Sequence, residues 1–597
     1  MAHALEAREP PAAVLGIERS ILGRRWRARL SDERAGLAIA QRTGLPEIVG
    51  RILAARDIPI EDVESYLNPT LSRLLPDPSR LKDMDQAVDR LVSAINNDEA
   101  IAVFGDYDVD GATSAALLHG FLTAVGADLR IYIPDRLTEG YGPNAAALKR
   151  LAAEGVNVVI TVDCGITAHE ALAEAKAAGL DVIVVDHHVA EPKLPPASAV
   201  INPNRLDEEP GLGQLAAVGV AFMLVVALNR RLRAEGRYAS RQEPELFQWL
   251  DLVALGTVCD VVPLTGLNRA FVSQGLKIMA RRGNRGIAAL SDIAGLRDAP
   301  GAFHAGFILG PRVNAGGRVG EAGLGARLLS TDDGTEARTI AERLDGYNTE
   351  RRQIEAEVLA DAVRQAQSRS RDDVSPVIVS GNGWHPGVIG IVASRLVEKF
   401  GRPAVVIAVN DGIGKGSGRS VRGVDLGAAV IAARQAGLLV NGGGHRMAAG
   451  LTVEEHSIDA LAEFLCQRVA DDYARNGFDP SLGVDGGMTL GGATLDFLTV
   501  LEQLEPFGNG NPEPRFAFPR VRVAKADVVG QSHVRCHLAD EGSGRLGAIA
   551  FRSVDTELGR ALLDARGGIL HMVGALRKNE WRGRKDVQLV IADAARP

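Results

Sequence analysis

Between residues 98 and 205 the chain repeats one unit: a short β-branched apolar run, a turn holding Gly or Asp, then an Ala- and Leu-rich stretch with helical spacing. The apolar runs are Ile101 to Phe104, Leu129 to Ile133, Val158 to Val162 and Val182 to Val185. Continuous rather than alternating apolar strands, separated by helices, predict βαβ crossovers and a mainly parallel sheet covered on both faces. Such a sheet takes its ligands at the carboxyl ends of its strands. A further apolar stretch, Ala254 to Val262, also runs into an aspartate and reads as another strand of this kind.

From Thr331 to about Gln367 the apolar positions Ile340, Leu344, Tyr347, Ile354 and Val358 recur at three-, four- and seven-residue steps among many Arg and Glu residues. That spacing predicts a long amphipathic helix connecting two domains. Gly346 inside it costs about 1 kcal/mol and is a candidate kink. After Ser375-Pro376 the βα pattern resumes with Val377 to Val379, a helix around Val388 to Phe400 and a strand Ala404 to Val409. From about Leu482 short strand candidates at turn-rich spacing, among them Val521 to Ala524 and Leu546 to Phe551, predict a small β-barrel. The fold class is therefore α/β: two α/β domains joined by a long helix, plus a C-terminal barrel.

Composition narrows the function classes. The 597 residues are 46% hydrophobic and 24% charged, which excludes a disordered or fibrous chain. The longest apolar run, Leu215 to Leu228, falls short of the roughly 18 to 20 residues that cross a bilayer and reads as a buried helix, so no membrane association is expected. The first thirty residues lack the pattern of a secretory signal, and the four cysteines form no CxxC pair. A reducing cytoplasm is the expected location. With a net charge of −8, any nucleic-acid surface must be local, because the global field repels such a partner.

The aspartates carry the strongest chemical signal. Gly105-Asp106-Tyr107-Asp108-Val109-Asp110-Gly111 follows the first strand, Val162-Asp163-Cys164-Gly165 the third and Asp186-His187-His188 the fourth, while Asp260 ends the stretch Gly256 to Cys259. An aspartate at one strand end is ordinary turn chemistry. Four coincident sites, one followed by two histidines, crowd acids whose pKa values rise unless cations intervene. An oxygen-dominated set with one or two imidazoles suits Mn²⁺ or Mg²⁺ rather than structural zinc. With five or six candidate ligands, a pair of ions about 3.5 to 4 Å apart fits, and the implied reaction is hydrolysis of a phosphate ester or anhydride. His187 reads as a ligand, and His188 as a residue that faces substrate or orients a ligand.

Two further clusters stand out. Gly414-Lys415-Gly416-Ser417-Gly418-Arg419-Ser420 and Asn441-Gly442-Gly443-Gly444-His445 offer converging backbone N–H groups, at Gly443 and Gly444 among others, with Ser and Arg donors for a terminal phosphate. An ordinary tight turn is the bland alternative, and no Walker A spacing is present. Arg577-Lys578-Asn579-Glu580-Trp581-Arg582-Gly583-Arg584-Lys585 joins two barrel strands, where Trp581 would stack on a base and Arg582 would neutralise a phosphate. Arg24-Arg25-Trp26-Arg27-Ala28-Arg29 is similar in kind but reads more simply as a solvated face.

These motifs, in this order and across residues 20 to 597, resemble the DHH phosphoesterases, named for the triplet that stands here as Asp186-His187-His188. Within that family they resemble the single-strand-specific 5′ to 3′ DNA exonucleases. The resemblance implies a basic and helical N-terminal segment (1–75), a DHH catalytic domain (76–265), a helical connector (266–375), a substrate-binding DHHA1-type domain (376–472) and an OB-fold-like barrel (473–597). It implies that Asp108, Asp110, Asp163, His187 and Asp260 hold two metals, with Asp106 close by. Ser417 and Arg419 would grip the 5′ phosphate with help from Arg312 and, more weakly, Arg318, and His445 would face the scissile phosphate. Phe104 stands where some relatives have a histidine, which removes one ligand, and Cys259 reads as a small buried filler. A single-strand-binding protein and a RecQ-type helicase are the implied partners in recombination and repair, with the protein a monomer. Two other functions compete: a small-substrate DHH hydrolase acting on oligonucleotides or cyclic dinucleotides, and a scaffold that has lost its metals. The barrel and connector argue against the first, the intact acids against the second.

Overall fold

Five parallel strands form the first sheet in a computed structural model of the chain, which describes residues 12–30, 32–136, 138–368, 374–477, 480–581 and 583–597. Their order is Leu129–Tyr132, Ile101–Gly105, Val158–Val162, Asp181–Val185 and Ala199–Ile201. Alternate residues of each strand enter opposite cores. Val103, Ile160 and Ile183 pack with Leu91, Phe121 and Phe222 of helices Met84–Asn96, Val109–Ala124 and Ala217–Ala234, while Ala102, Val159 and Val182 pack with Leu148 and Leu172 of Ala145–Ala153 and His169–Ala177. Each large apolar side chain buried this way contributes roughly 1.5 to 3 kcal/mol. The apolar run from Leu215 becomes the buried helix Ala217–Ala234, and among the described residues no helix is long and apolar enough to cross a membrane.

Asp260 arrives differently from the other acids. The stretch before it is the helix Leu250–Cys259, not a strand. A run that is apolar on every side does not distinguish a buried helix from a buried strand, and this one is enclosed all round from Leu250 to Thr257. Short helices between Gly266 and Ser330 follow, then one 35-residue helix, Gly334–Ser368, whose first half packs into the core of the first sheet and whose second half packs under the next domain.

That domain holds a five-stranded sheet in the order Asn441–His445, Ala448–Glu454, Ile413–Arg419, Ala404–Asn410 and Val377–Asn382, with only the last pair parallel. Helix Ile389–Phe400 covers one face beside Val406 and Ala408. Helices Leu426–Gln435 and Ile458–Asn476 cover the other.

Two compact units result, one from Pro69–Gly477 with Gly508–Gly510, the other from Met1–Asn68, Phe478–Phe507 and Asn511–Pro597. In the second, Phe516–Val529 pairs with both His533–Ala539 and Ile569–Trp581, and Arg545–Ala550 pairs with Arg584–Ala595, which closes a five-stranded barrel. The N-terminal helices share its core through Ile39, Val49, Ile52 and Leu53. Strand Arg25–Ala28 pairs with Ser481–Val484, and Trp26 is fully buried with its Nε1 donating to Asp593 Oδ2 at 3.2 Å. Trp26 therefore anchors this strand and is no stacking platform.

Candidate active site

Three strand ends and one helix end bring the acids together. Asp108 caps the helix Val109–Ala124, accepting from the backbone of Asp110 at 2.8 Å and Gly111 at 3.2 Å. Asp110, the second residue of that helix, accepts from Ala217 N at 2.7 Å and Val218 N at 2.9 Å, so it also caps the otherwise uncapped helix Ala217–Ala234. Asp163 leaves its strand with φ at 61°, a left-handed turn that a non-glycine residue adopts only under outside constraint. Val261, just after Asp260, is likewise at 61°. Helix Leu250–Cys259 can approach Asp110 because residue 256 is Gly: a Cβ there would lie 2.3 Å from Thr113 Oγ1 and 3.1 Å from Asp110 Oδ1.

The electrostatics of this cluster are those of a cation site. His187 Nε2 stands 3.2 Å from Asp163 Oδ1, 3.6 Å from Asp260 Oδ2 and 3.9 Å from Asp110 Oδ2. Burial, then the neighbouring His188 charge, pushes the His187 ring down to about 4, so it is neutral. Burial and the Asp108 charge push Asp110 up to about 7 and Asp163 far above the usual carboxylate range; burial, Asp110 and Asp108 push Asp260 up to about 9. Asp106, also buried beside Asp108, is raised well above its ordinary value. Asp106 Oδ1, Asp163 Oδ1, His187 Nε2 and Asp260 Oδ2 are buried without a hydrogen-bond partner. Acceptors aimed at one another, with no donor between them, are costly unless a cation takes their lone pairs. Three overlapping groups have donor atoms within 4.8 Å of one another: Asp106, Asp108 and Asp163; Asp110, His187 and Asp260; Asp163, His187 and His188. All are oxygen or imidazole donors, a fit for Mn²⁺ or Mg²⁺.

Asp186 plays a separate part. It is fully buried and accepts from Ile166 N at 3.0 Å, His187 N at 2.7 Å, His188 N at 3.1 Å and His188 Nδ1 at 2.7 Å. Burial raises its pKa, but the bonds from His188 and the backbone outweigh that and hold it below the usual range. Burial likewise lowers His188, and the Asp186 bond and charge more than reverse it. Asn202 and Asn204 donate to the His188 and His187 carbonyls at 2.9 and 2.6 Å and fix the backbone of the triplet.

Two cavities meet here. One, of about 240 Å³, is walled by Asp106, Asp108, Asp163, His188 and Asp260 together with Asn314, Gly317 and Arg318. The other, of about 360 Å³, lies against the second domain at Ser417, Gly443 and helix residue Ile389. Tyr107 and Arg136 belong to both walls, the guanidinium 5.0 Å from the ring centroid. Arg419 donates to Ser417 Oγ at 3.1 Å, and a Cβ at Gly390 would sit 3.1 Å from that oxygen and 3.2 Å from Arg419 Nη2. Burial, then the charge of Arg136, lowers the pKa of Arg419; burial, Arg136 and Arg351 lower Arg318 to about 10. Crowded guanidinium groups of this kind call for an anion.

The chain's relatives agree with this chemistry. Residues 100–257 match the DHH family, N-terminal domain, residues 374–471 the DHHA1 domain and residues 484–593 the RecJ OB domain. The single-stranded-DNA-specific exonuclease RecJ of Dickeya dadantii is 38% identical over 561 residues, covering 92% of this chain and 96% of that one. RecJ of Escherichia coli is 36% identical over 583 residues, covering 95% and 98%. The crystal structure of RecJ in complex with Mn²⁺ from Thermus thermophilus superposes with a TM-score of 0.78 at 29% identity, covering 95% of this chain and 78% of that one. The chain belongs to the RecJ family. A crystal structure of the Thermus thermophilus RecJ in complex with Mg²⁺ also superposes, with a TM-score of 0.72, and the donor set of this RecJ family member suits either ion.

Not every expected residue lines the cavities of this RecJ family member. Arg312 donates to Asp345 Oδ1 at 2.8 Å and to the Ile308 carbonyl at 2.7 Å, and it is absent from both walls. Arg318 donates to the Gly387 carbonyl at 3.0 Å and does line the acidic cavity. His445 is exposed at the end of strand Asn441–His445, and Gly444 before it, at φ 151°, lies so close to Ala448 that a Cβ would meet its carbonyl at 2.4 Å. Trp581 pairs with Arg584 in the barrel hairpin, and Arg582 lies outside the described residues. Cys259 Sγ donates to the Ala305 carbonyl at 3.5 Å and serves as packing. Sequence reasoning missed Arg136, Tyr107, Tyr141, Asn202 and Asn204. Arg136 had a signal: it follows the strand Leu129–Tyr132 at the same sheet edge as the acids.

Proposed function

We propose that the protein is a metal-dependent exonuclease that degrades single-stranded DNA from its 5′ end to mononucleotides, in recombination and repair. The observation that carries this reading is the shared wall of Tyr107 and Arg136: a terminal phosphate held in one cavity brings the next phosphodiester to the other. Asp108, Asp110, Asp163, His187 and Asp260 would hold two divalent cations, with Asp106 in reach. When bound, such ions lower the pKa of a water and draw charge from phosphoryl oxygens.

The protein groups do the rest. Ser417, Arg419 and the backbone at Gly443 and Gly444 take the terminal phosphate, with Arg136 facing it from the catalytic domain and Arg318 lining the adjoining acidic cavity. Arg312 serves by holding the Gly310–Val313 turn against Asp345 on the long helix. His188 commits Nδ1 to Asp186, which leaves Nε2 to donate a proton to the departing 3′ oxygen. Tyr107 and Tyr141 flank the acids, and the Tyr141 hydroxyl donates to the Asp163 carbonyl at 3.1 Å. His445 would guide the strand, and Trp581 and Arg582 of the C-terminal sequence would add base stacking and phosphate contact. The reading carries a cytoplasmic monomer working with a single-strand-binding protein and a RecQ-type helicase. A time course on single strands labelled at either end, with Mn²⁺, duplex and chelator controls, tests it: immediate mononucleotide release from the 5′ label alone supports the reading, and release from the 3′ label or cleavage confined to short oligonucleotides overturns it.

A further inference from the structure

Beyond Ser417 the cavity wall continues into groups that a single phosphate does not use. Along strand Ile413–Arg419 the even-numbered residues Gly414, Gly416 and Gly418 are buried against Ile407, Leu451 and Leu426, and the odd-numbered residues face the other way. Register with the neighbouring strands lays three rows across that outer face: Arg419, Ala448 and His445; Ser417, Gly450 and Gly443; Lys415, Thr452 and Asn441. Successive rows lie about 6.8 Å apart, two residues at about 3.4 Å each. The middle row is a trough because two of its three residues are glycine. The third row closes that trough with an ammonium, a hydroxyl and a carboxamide, and these residues line the same cavity as Ser417. Lys415 makes no ion pair or hydrogen bond among the described residues. The cavity's 360 Å³ lies in the roughly 300 to 1,000 Å³ range of sites that enclose a whole ligand, well beyond one phosphate.

We propose that the row of Lys415, Thr452 and Asn441 is a subsite for the outer phosphates of a 5′-triphosphorylated strand end, and that the enzyme removes such an end without prior trimming. The proposal rests on the reading of Ser417 and Arg419 as the grip on the terminal phosphate. The bond broken is unchanged. Water oxygen bonds to the phosphorus linking the first and second nucleotides, the 3′ oxygen of the first leaves and takes up a proton, and the first nucleotide departs with its triphosphate intact. The shortened strand keeps a 5′ monophosphate, so later turnovers are ordinary.

The test compares single strands bearing 5′-monophosphate and 5′-triphosphate ends on the full-length protein, with released products separated by anion-exchange chromatography. The expected result is one nucleoside triphosphate per strand followed only by monophosphates. Lys415→Ala should lower kcat/KM about tenfold on triphosphate ends and less than about twofold on monophosphate ends, the loss of one charge-assisted contact, and Lys415→Arg should restore most of it. Release of pyrophosphate or orthophosphate before any nucleotide, refusal of triphosphate ends by the wild type, or equal losses on both ends would overturn the subsite. Failure of the wild type on 5′-monophosphate strands would instead overturn the exonuclease reading.

Discussion

Asp186 accepts from His188 Nδ1 at 2.7 Å while its two oxygens also take three backbone N–H groups, so a fully buried anion sets the orientation of one imidazole. Removing that charge while keeping the shape isolates its contribution. Asp186→Asn should lower kcat by about 10² to 10⁴ with KM nearly unchanged, the scale seen when a positioned acid or base loses its orienting carboxylate. Single-turnover rates would show it; a variant within threefold of wild type would mean that His188 Nε2 takes no part.

Asp163 gives a prediction with two opposite signs. Its carboxyl is squeezed by burial and by Asp108 and Asp110. Asp163→Asn, which keeps a residue that tolerates the left-handed φ of 61°, should therefore abolish Mn²⁺-dependent hydrolysis and cut metal affinity by at least about tenfold, yet raise the melting temperature of the metal-free protein. Single-strand binding in chelator should persist. Calorimetry with and without Mn²⁺ separates the two effects, and a lowered melting temperature in the metal-free variant would count against a cluster that waits for cations.

Much of this site was legible in the sequence, for a physical reason. Acids that end parallel apolar strands must converge on one sheet edge, so the positions of Asp106, Asp163 and Asp186 after their apolar runs already imply that they meet. Asp260 was found by the same rule although a helix delivers it, because enclosure on all sides erases the periodicity that separates helix from strand. Arg136 and Tyr107 were missed because their importance is a wall shared between two domains, which no local pattern encodes. Arg312 shows the converse: an arginine beside glycines reads as an anion grip, and no local pattern announces Asp345, thirty-three residues on, to which it donates. Trp26 among four arginines reads as part of a solvated charged face, and its full burial shows it to be core.

Arg136 and Arg419 should differ in what they select. Arg419 lies against Ser417, which lines only the cavity beside the second domain, whereas Arg136 lines both cavities. Arg419→Ala should erase most of the preference for 5′-phosphorylated over 5′-hydroxyl ends and spare hydrolysis of the latter. Arg136→Ala should slow both substrates, by about 10² in kcat/KM if it loses a charge-assisted contact in each cavity. Rates on the two ends decide it, and identical profiles for the two variants would remove the distinction.

Asp251 supplies a test of stability away from the chemistry. It is buried in the helix that carries Asp260, with a backbone bond from Leu252 N at 2.8 Å, and burial pushes its pKa from 3.8 up to about 7. In the unfolded chain this carboxyl loses its proton near pH 4, while in the folded protein it keeps the proton until about pH 7. Between those values the folded state binds more protons than the unfolded one, so stability falls as pH rises and levels off above pH 7. Asp251→Asn keeps the shape and removes the titration. Its melting temperature should match wild type near pH 4 and exceed it increasingly up to pH 7, with a plateau advantage of about 4 kcal/mol at most. The comparison belongs in Mn²⁺-loaded protein, where the acids around His187 are already compensated. Parallel stability curves for variant and wild type across that range would show that Asp251 is charged in the fold and has a partner that the hydrogen bond to Leu252 does not reveal.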